Sequence, residues 1–183
     1  MKYIILNIMK FLLMPLLGIL AGCASQQQAT IATVPQVDLP KFMGTWYVIA
    51  AIPTVIETES FNATETYALE KDGTIATTFT FNKGSLDGKV KTYRPRGYVI
   101  ENSGNALWGM QFIWPIKAEY RIAYLTPDYS QTIIARNARD YVWIMARTPK
   151  ISESDYTKLT QFVSDIGYDA SKLRKVPHNP VSH

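Results

Sequence analysis

The sequence predicts an all-β chain: an eight-stranded antiparallel up-and-down β-barrel with one C-terminal α-helix packed outside. Three observations predict it. Eight short segments rich in Thr, Tyr, Val, Ile and aromatic residues follow one another from Gly44, each ended by turn chemistry. One amphipathic stripe of helical period comes after the last of them. The composition, 47% hydrophobic and 19% charged over 183 residues, suits one packed domain with a short extension. Closure removes exposed strand edges, and a two-sheet sandwich is the competing arrangement.

The first strand spans about Thr45 to Ala51 and stops before Pro53, which has no N–H to donate. The second, about Asn62 to Leu69, leads to Lys71-Asp72-Gly73, a hairpin signal because Gly tolerates positive φ. The third runs from Thr74 to Phe81, with Ile75, Thr77, Phe79 and Phe81 in alternation. A Gly-containing loop from Asn82 to Gly88 precedes the fourth strand, Val90 to Ile100. Asn102-Ser103-Gly104-Asn105 turns the chain into the fifth, Ala106 to Ile113. Pro115 interrupts before the sixth, about Ala118 to Thr126. Pro127-Asp128-Tyr129 turns again, the seventh covers Gln131 to Arg136, and Asn137 to Arg139 lead to the eighth, Asp140 to Arg147. Beyond Pro149, Ser152 is the expected N-cap, with Asp155 in the first turn where negative charge is favoured. Tyr156, Leu159, Val163 and Ile166 recur at spacings of three and four beside Phe162, and Gly167 is the expected C-cap.

The residue inventory excludes several chemistries. A single Cys cannot form an internal disulfide. Both histidines, His178 and His183, lie in the last six residues, within a stretch (177–183) that carries Pro177 and Pro180 and reads as a loose tail. The barrel therefore has no histidine for a Ser-His-Asp or Cys-His site, and no metal or other cofactor is expected. Net charge is +4, but Lys2 and Lys10 belong to a leader described next; without them 17 cations face 15 anions, which makes no case for nucleic acid.

Residues 1–22 read as a secretory leader: two lysines, then an apolar run from Phe11 to Gly22 that is too short to cross a bilayer core. Leu20-Ala21-Gly22-Cys23 resembles the lipobox of bacterial lipoproteins. That resemblance implies cleavage before Cys23 and acylation of both its thiol and the new amino terminus. Stable anchoring takes two or more chains, at ~0.8 kcal/mol per buried methylene. An ordinary leader with a Cys near its cleavage site is the plainer alternative. Ala24 stands where sorted lipoproteins kept in the inner membrane carry Asp, so the resemblance implies a lipid-anchored outer-membrane location, the domain facing the periplasm. Residues 23–37, including Ser25-Gln26-Gln27-Gln28-Ala29-Thr30, lack apolar periodicity and are expected to be a flexible tether; 38–176 form the domain.

Three patterns in order resemble the lipocalin family, and specifically its bacterial outer-membrane branch. Gly44-Thr45-Trp46, after the short turn Val37 to Met43, matches the G-x-W signature. Thr126-Pro127-Asp128-Tyr129 matches the T-D-Y type of signature between strands six and seven, with Pro127 as a departure. The last strand carries Arg147. The resemblance covers about Val37 to Val176. It implies that Trp46 closes one end of the barrel with Arg147 across its ring, a cation–π contact worth ~0.5–2 kcal/mol. It assigns structural work to Gly44, Trp46, Asp128, Tyr129 and Arg147.

A ligand pocket is sought on inward faces. Tyr141, Trp143 and Met145 share the face of Arg147, and Val142, Ile144 and Ala146 take the other, where the helix would dock. Tyr120, Ile122 and Tyr124 share a face of the sixth strand. Phe112 and Met110 are placed inside with Tyr120. Simple core packing of these side chains is the alternative, because small barrels can be filled. Lys89, Lys91, Arg94 and Arg96 could meet an anionic head group or form a solvated face. Glu57 and Glu59, in a loop expected at the mouth, would disfavour a free carboxylate.

The expected function is binding and storing or transporting a hydrophobic ligand, a fatty acid such as palmitate or a lysophospholipid, with the outer membrane and this lipid as partners. It is expected not to be an enzyme. A ligand-free envelope scaffold, a haem carrier and a lipid-modifying enzyme remain as alternatives.

Overall fold

Turn chemistry and alternation produce one antiparallel sheet that closes on itself. The computed structural model describes residues 28–55 and 57–179; the expected leader and Cys23 lie outside the described residues. The strands are β1 (Gly44–Ile52), β2 (Ser60–Leu69), β3 (Ile75–Lys83), β4 (Val90–Tyr93), β5 (Arg96–Val99), β6 (Leu107–Ile113), β7 (Ile116–Leu125), β8 (Gln131–Ala135), β9 (Val142–Ala146) and β10 (Arg174–Lys175). Each pairs with its neighbour, and β1 pairs with β9 to complete the barrel. The eight-stranded closed barrel is therefore the fold. The expected fourth strand is in two pieces, β4 and β5, both paired with β3. They flank Arg94-Pro95, where the missing N–H of proline breaks the ladder. The two-residue β10 pairs with the outer part of β1.

A helix, α2 (Glu153–Asp165), lies outside. Ser152 Oγ accepts from Asp155 N at 3.0 Å, satisfying one of the unpaired donors of its first turn, and the helix ends at Ile166, just before Gly167. Leu159 and Val163 are fully buried against Ile133, Val142 and Ile144 on the outer face of the sheet. A second core fills the barrel, with Trp46, Tyr67, Ile75, Trp108, Ile122 and Met145 packed inside. No described helix is long and apolar enough to cross a membrane.

The stretch expected to be a tether is different from Ala29 onward. It forms a strap on the barrel. Ile31 and Val37 are buried; Ile31 N donates to Asn137 Oδ1, Val34 N to Ile122 O and Val37 N to Gly104 O, all within 2.9 Å. Arg139 Nη2 donates to Ala29 O at 2.6 Å, and Arg121 Nη1 to Ile31 O at 2.9 Å. Gly104 has φ +60°, and a Cβ there would stand 2.0 Å from Pro35 O, so the strap needs glycine at that crossing. Ile31, Val34 and Val37 recur at every third residue, a short run that the reading of a tether passes over. The start of the expected loose tail is docked too. His178 Nε2 lies 2.8 Å from Val48 O, and Asn62 N donates to Pro177 O.

Candidate functional site

The two ends of the barrel differ. At the base, a four-residue helix α1 (Leu39–Phe42) follows N-cap Asp38 and plugs the opening with Phe42. Trp46 is fully buried and its Nε1 donates to Phe42 O at 2.9 Å. The Arg147 guanidinium carbon lies 3.8 Å from the Trp46 ring centroid. Its nitrogens donate to Thr45 O, Lys41 O, Phe42 O and Met43 O at 2.8–3.0 Å. Gly44 adopts φ +93°, and a Cβ there would stand 3.5 Å from Arg147 Nη1. Tyr129, itself at φ +59°, accepts at Oη from Asp38 N, 2.9 Å away. Asp128 accepts from Ser130 N and Oγ, and hydrogen bonds from Thr126 and Ser130 bring its carboxyl down to about 2.

Above this packed floor a cavity of about 200 Å³ opens toward the other end. Of the eight residues named as ligand-lining, Met110, Phe112, Tyr120, Tyr141 and Trp143 border it. Ile122 and Met145 point inward but are fully buried beneath it, in the floor. Tyr124 does not point inward. The pairing of β7 with β8 shifts between Ile122 and Tyr124, a bulge at Ala123 that reverses the alternation. Tyr124 therefore faces out, its ring 5.2 Å from that of Phe162 on α2.

The wall also carries groups that the sequence reading does not assign to the pocket, although it notes the alternation of Thr77 and Phe79 and expects Glu57 at the mouth. Phe79 and Thr77 come from β3, Glu65 from β2, and Thr54, Val55 and Glu57 from the β1–β2 loop. The alternation of β2 held the clue, since Ala63, Glu65 and Tyr67 share one face. Tyr67 Oη donates to Glu65 and lies 2.6 Å from Tyr120 Oη. Burial pushes the Glu65 carboxyl up to about 7, against the hydrogen bond from Tyr67, which lowers it. Glu57 turns in from the loop, so Trp143 Nε1 donates to its two oxygens at 3.2 and 3.3 Å, and Thr54 N to Oε1 at 2.9 Å. Burial raises its carboxyl as well. Thr54 Oγ1 and Thr77 Oγ1, both bordering the cavity, are buried without partners among the described residues. At the rim, Arg136 Nη1 pairs with Asp140 at 3.1 Å while its buried Nε has no protein partner.

Arg121 lies outside, paired with Glu119 at 2.8 Å under the strap. Lys89, Arg94 and Arg96 are exposed, and Arg96 Nη1 donates to Thr74 Oγ1 at 2.9 Å and to exposed Asp72 at 3.4 Å. Among the described residues no group of His, Cys, Asp and Glu is arranged to hold a metal.

A closed eight-stranded barrel, plugged at one end by a Trp–Arg pair and hollow at the other, defines a container for small apolar molecules. The chain belongs to the lipocalin-like family, whose domain model matches residues 37–178. It is similar to temperature-induced lipocalin-1 of Arabidopsis thaliana, 28% identical over 165 residues, covering 84% of this chain and 86% of that one. It is also 28% identical over 145 residues to outer membrane lipoprotein Blc of Escherichia coli (strain K12), covering 78% and 80% of the two chains. The structure of insecticyanin from the tobacco hornworm Manduca sexta superposes with TM-score 0.64 at 15% identity, covering 85% of this chain and 86% of that one, a likeness of fold. By its family and architecture the protein binds hydrophobic ligands and is not an enzyme.

Proposed function

We propose that this protein is a lipid-anchored carrier that takes a single-chain lipid, a fatty acid or lysophospholipid, into its barrel for storage or transport at the outer membrane. The observation that carries this reading is the cavity beneath the open rim, walled by Phe79, Met110, Phe112 and Trp143. An acyl chain gains ~0.8 kcal/mol per buried methylene. Ordering costs reduce this, leaving an affinity on the order of micromolar. Arg136, with an unpartnered Nε at the rim, suits an anionic oxygen of the head group. Glu57 and Glu65 line the interior and offer no cationic partner to a carboxylate that descends further, which favours a lysophospholipid over a free fatty acid.

Acylation of Cys23 after removal of residues 1–22 supplies the anchor in this reading, with the domain facing the periplasm. The Blc relatives, by name outer membrane lipoproteins, support it. Titration of delipidated protein with palmitate and with a lysophospholipid, followed through Trp143 fluorescence, tests the cargo. Saturable quenching, tighter for the lysophospholipid, is expected; absence of saturable binding to either sinks the reading. Cys23→Ser should abolish incorporation of labelled palmitate and release the domain from the outer-membrane fraction.

A further inference from the structure

Most of the exposed large apolar side chains, and the most exposed of them, gather at one end of the molecule; Leu69 and Ile100, each 44% exposed, stand at the other. Ile113, Trp114 and Ile116, at the tip of the β6–β7 hairpin, are 71%, 81% and 68% exposed, with Phe112 half-exposed beside them. Val55, in the β1–β2 loop, is 85% exposed, and Val90 starts β4. Strand direction places all six on the open end: β1 and β6 run up from the base, and β4 and β7 begin at the rim. Solvated rims do not hold Trp and Ile in this way. Contiguous apolar surface of this kind marks a partner or a membrane.

Three observations select a bilayer as the occupant. The first is the strap. It enters at the open end, where Arg139 of the β8–β9 turn holds Ala29, and runs from there to the base. Cys23 precedes Ala29 by six residues, a reach of about 20 Å when fully extended. An acyl group on Cys23 therefore keeps the rim, not the base, next to the lipid. The second is chemistry. Trp beside Ile suits the boundary between headgroups and acyl chains. Lys89 precedes Val90, a cation beside the apolar residues where lipid phosphates would lie; Lys117, which follows Ile116, holds its ammonium 3.5 Å from the Tyr98 ring centroid on the barrel wall. Glu59 and Asp87 on neighbouring loops limit the net charge, so insertion rather than attraction dominates. The third is continuity, since Val55 and Phe112 belong to both the exposed patch and the cavity wall.

We infer that the open end is a membrane-docking surface: the 112–116 hairpin tip and Val55 enter the lipid boundary and hold the cavity mouth against the bilayer. A lipid then passes from membrane to barrel without crossing water. The docking surface is independent of the cargo; only its tie to Cys23 rests on the anchoring reading above.

Trp46 and Trp108 are buried and Trp143 lies in the cavity wall, so Trp114 reports on the rim alone. The test places the full chain, as cells make it, in vesicles of phosphatidylethanolamine and phosphatidylglycerol with brominated acyl chains. Quenching present in the parent and lost in Trp114→Phe supports docking. Quenching that persists in Trp114→Phe reads Trp143 and a lipid in the cavity, so the two readings separate. If Trp114 stays open to aqueous iodide while the protein is vesicle-bound, the inference is overturned. Shielding of Trp114 by a second copy without lipid overturns it too. Chain that carries no acyl group is tested with the same vesicles added from outside. Quenching of Trp114 then keeps the docking and removes the anchor, and absence of quenching removes the docking. Ile113→Asp and Ile116→Asp should each weaken that partition about tenfold or more with folding intact.

Discussion

The base and the mouth of this barrel are built from the same strands and obey opposite rules. At the base Phe42, Trp46 and Tyr67 are covered, although Leu69 and Ile100 on its turns stay 44% exposed, and the Arg147 guanidinium donates to five backbone carbonyls. At the mouth and in the cavity below it, apolar side chains are exposed, the Glu57 carboxyl is buried and that of Glu65 half-buried, and hydroxyls of Thr54 and Thr77 lack partners among the described residues. Unsatisfied groups and bare apolar surface lower stability, and a protein keeps them where something else is to be bound. The base holds the fold together so that the mouth can remain unfinished.

Substitutions at the two ends should separate along this line. The largest effect is expected from Arg147→Ala, which removes the cation over Trp46 and leaves carbonyls of α1 unmatched. Unfolding free energy should fall by about 3 kcal/mol, with ligand affinity measured well below Tm nearly unchanged. Lost binding at unchanged Tm would reverse the roles of the two ends. Next is the acid in the cavity wall. The folded protein retains the Glu65 proton up to about pH 7, whereas the unfolded chain releases it near 4.5, so its contribution to stability is complete below 4.5 and is lost as pH rises to 7. Thermal melts across that window should show Tm falling with pH, and Glu65→Gln should flatten the slope. Trp143→Ala removes cavity wall and a donor to Glu57, so lipid affinity should drop about tenfold, by titration calorimetry, with a smaller loss of stability than at Arg147. Smallest is Ile116→Ser at the exposed tip, expected to leave unfolding in denaturant within about 0.5 kcal/mol of the parent.

The fold was legible because turn residues and alternation agree along most of the chain. The helix was legible from its stripe and its Ser152 cap. The breaks in the reading have local causes. Pro95 divides a strand that reads as continuous. The bulge at Ala123 turns Tyr124 outward, and bulges leave no mark in an alternation of apolar residues on both faces. The strap from Ala29 to Val37 was not legible because its apolar spacing of three, at Ile31, Val34 and Val37, matches neither the alternation of a strand nor the stripe of a long helix. The cavity's aromatic wall followed from parity at Trp143, Tyr141, Tyr120, Phe112 and Met110. Glu65 did not, because an acidic residue on an inward face contradicts the usual rule and only packing reveals that Tyr67 supports it.

The contact that closes the barrel also sets its timing. β1 closes the barrel only when β9 has appeared, and Arg147 meets Thr45 across 102 residues of chain. Contacts of such long range form late and slow folding. A chain delivered N-terminus first must therefore wait, with an open sheet edge, until nearly all of it has emerged. During that interval it is vulnerable to aggregation, and its safe passage depends on whatever shields that edge until the last strand arrives.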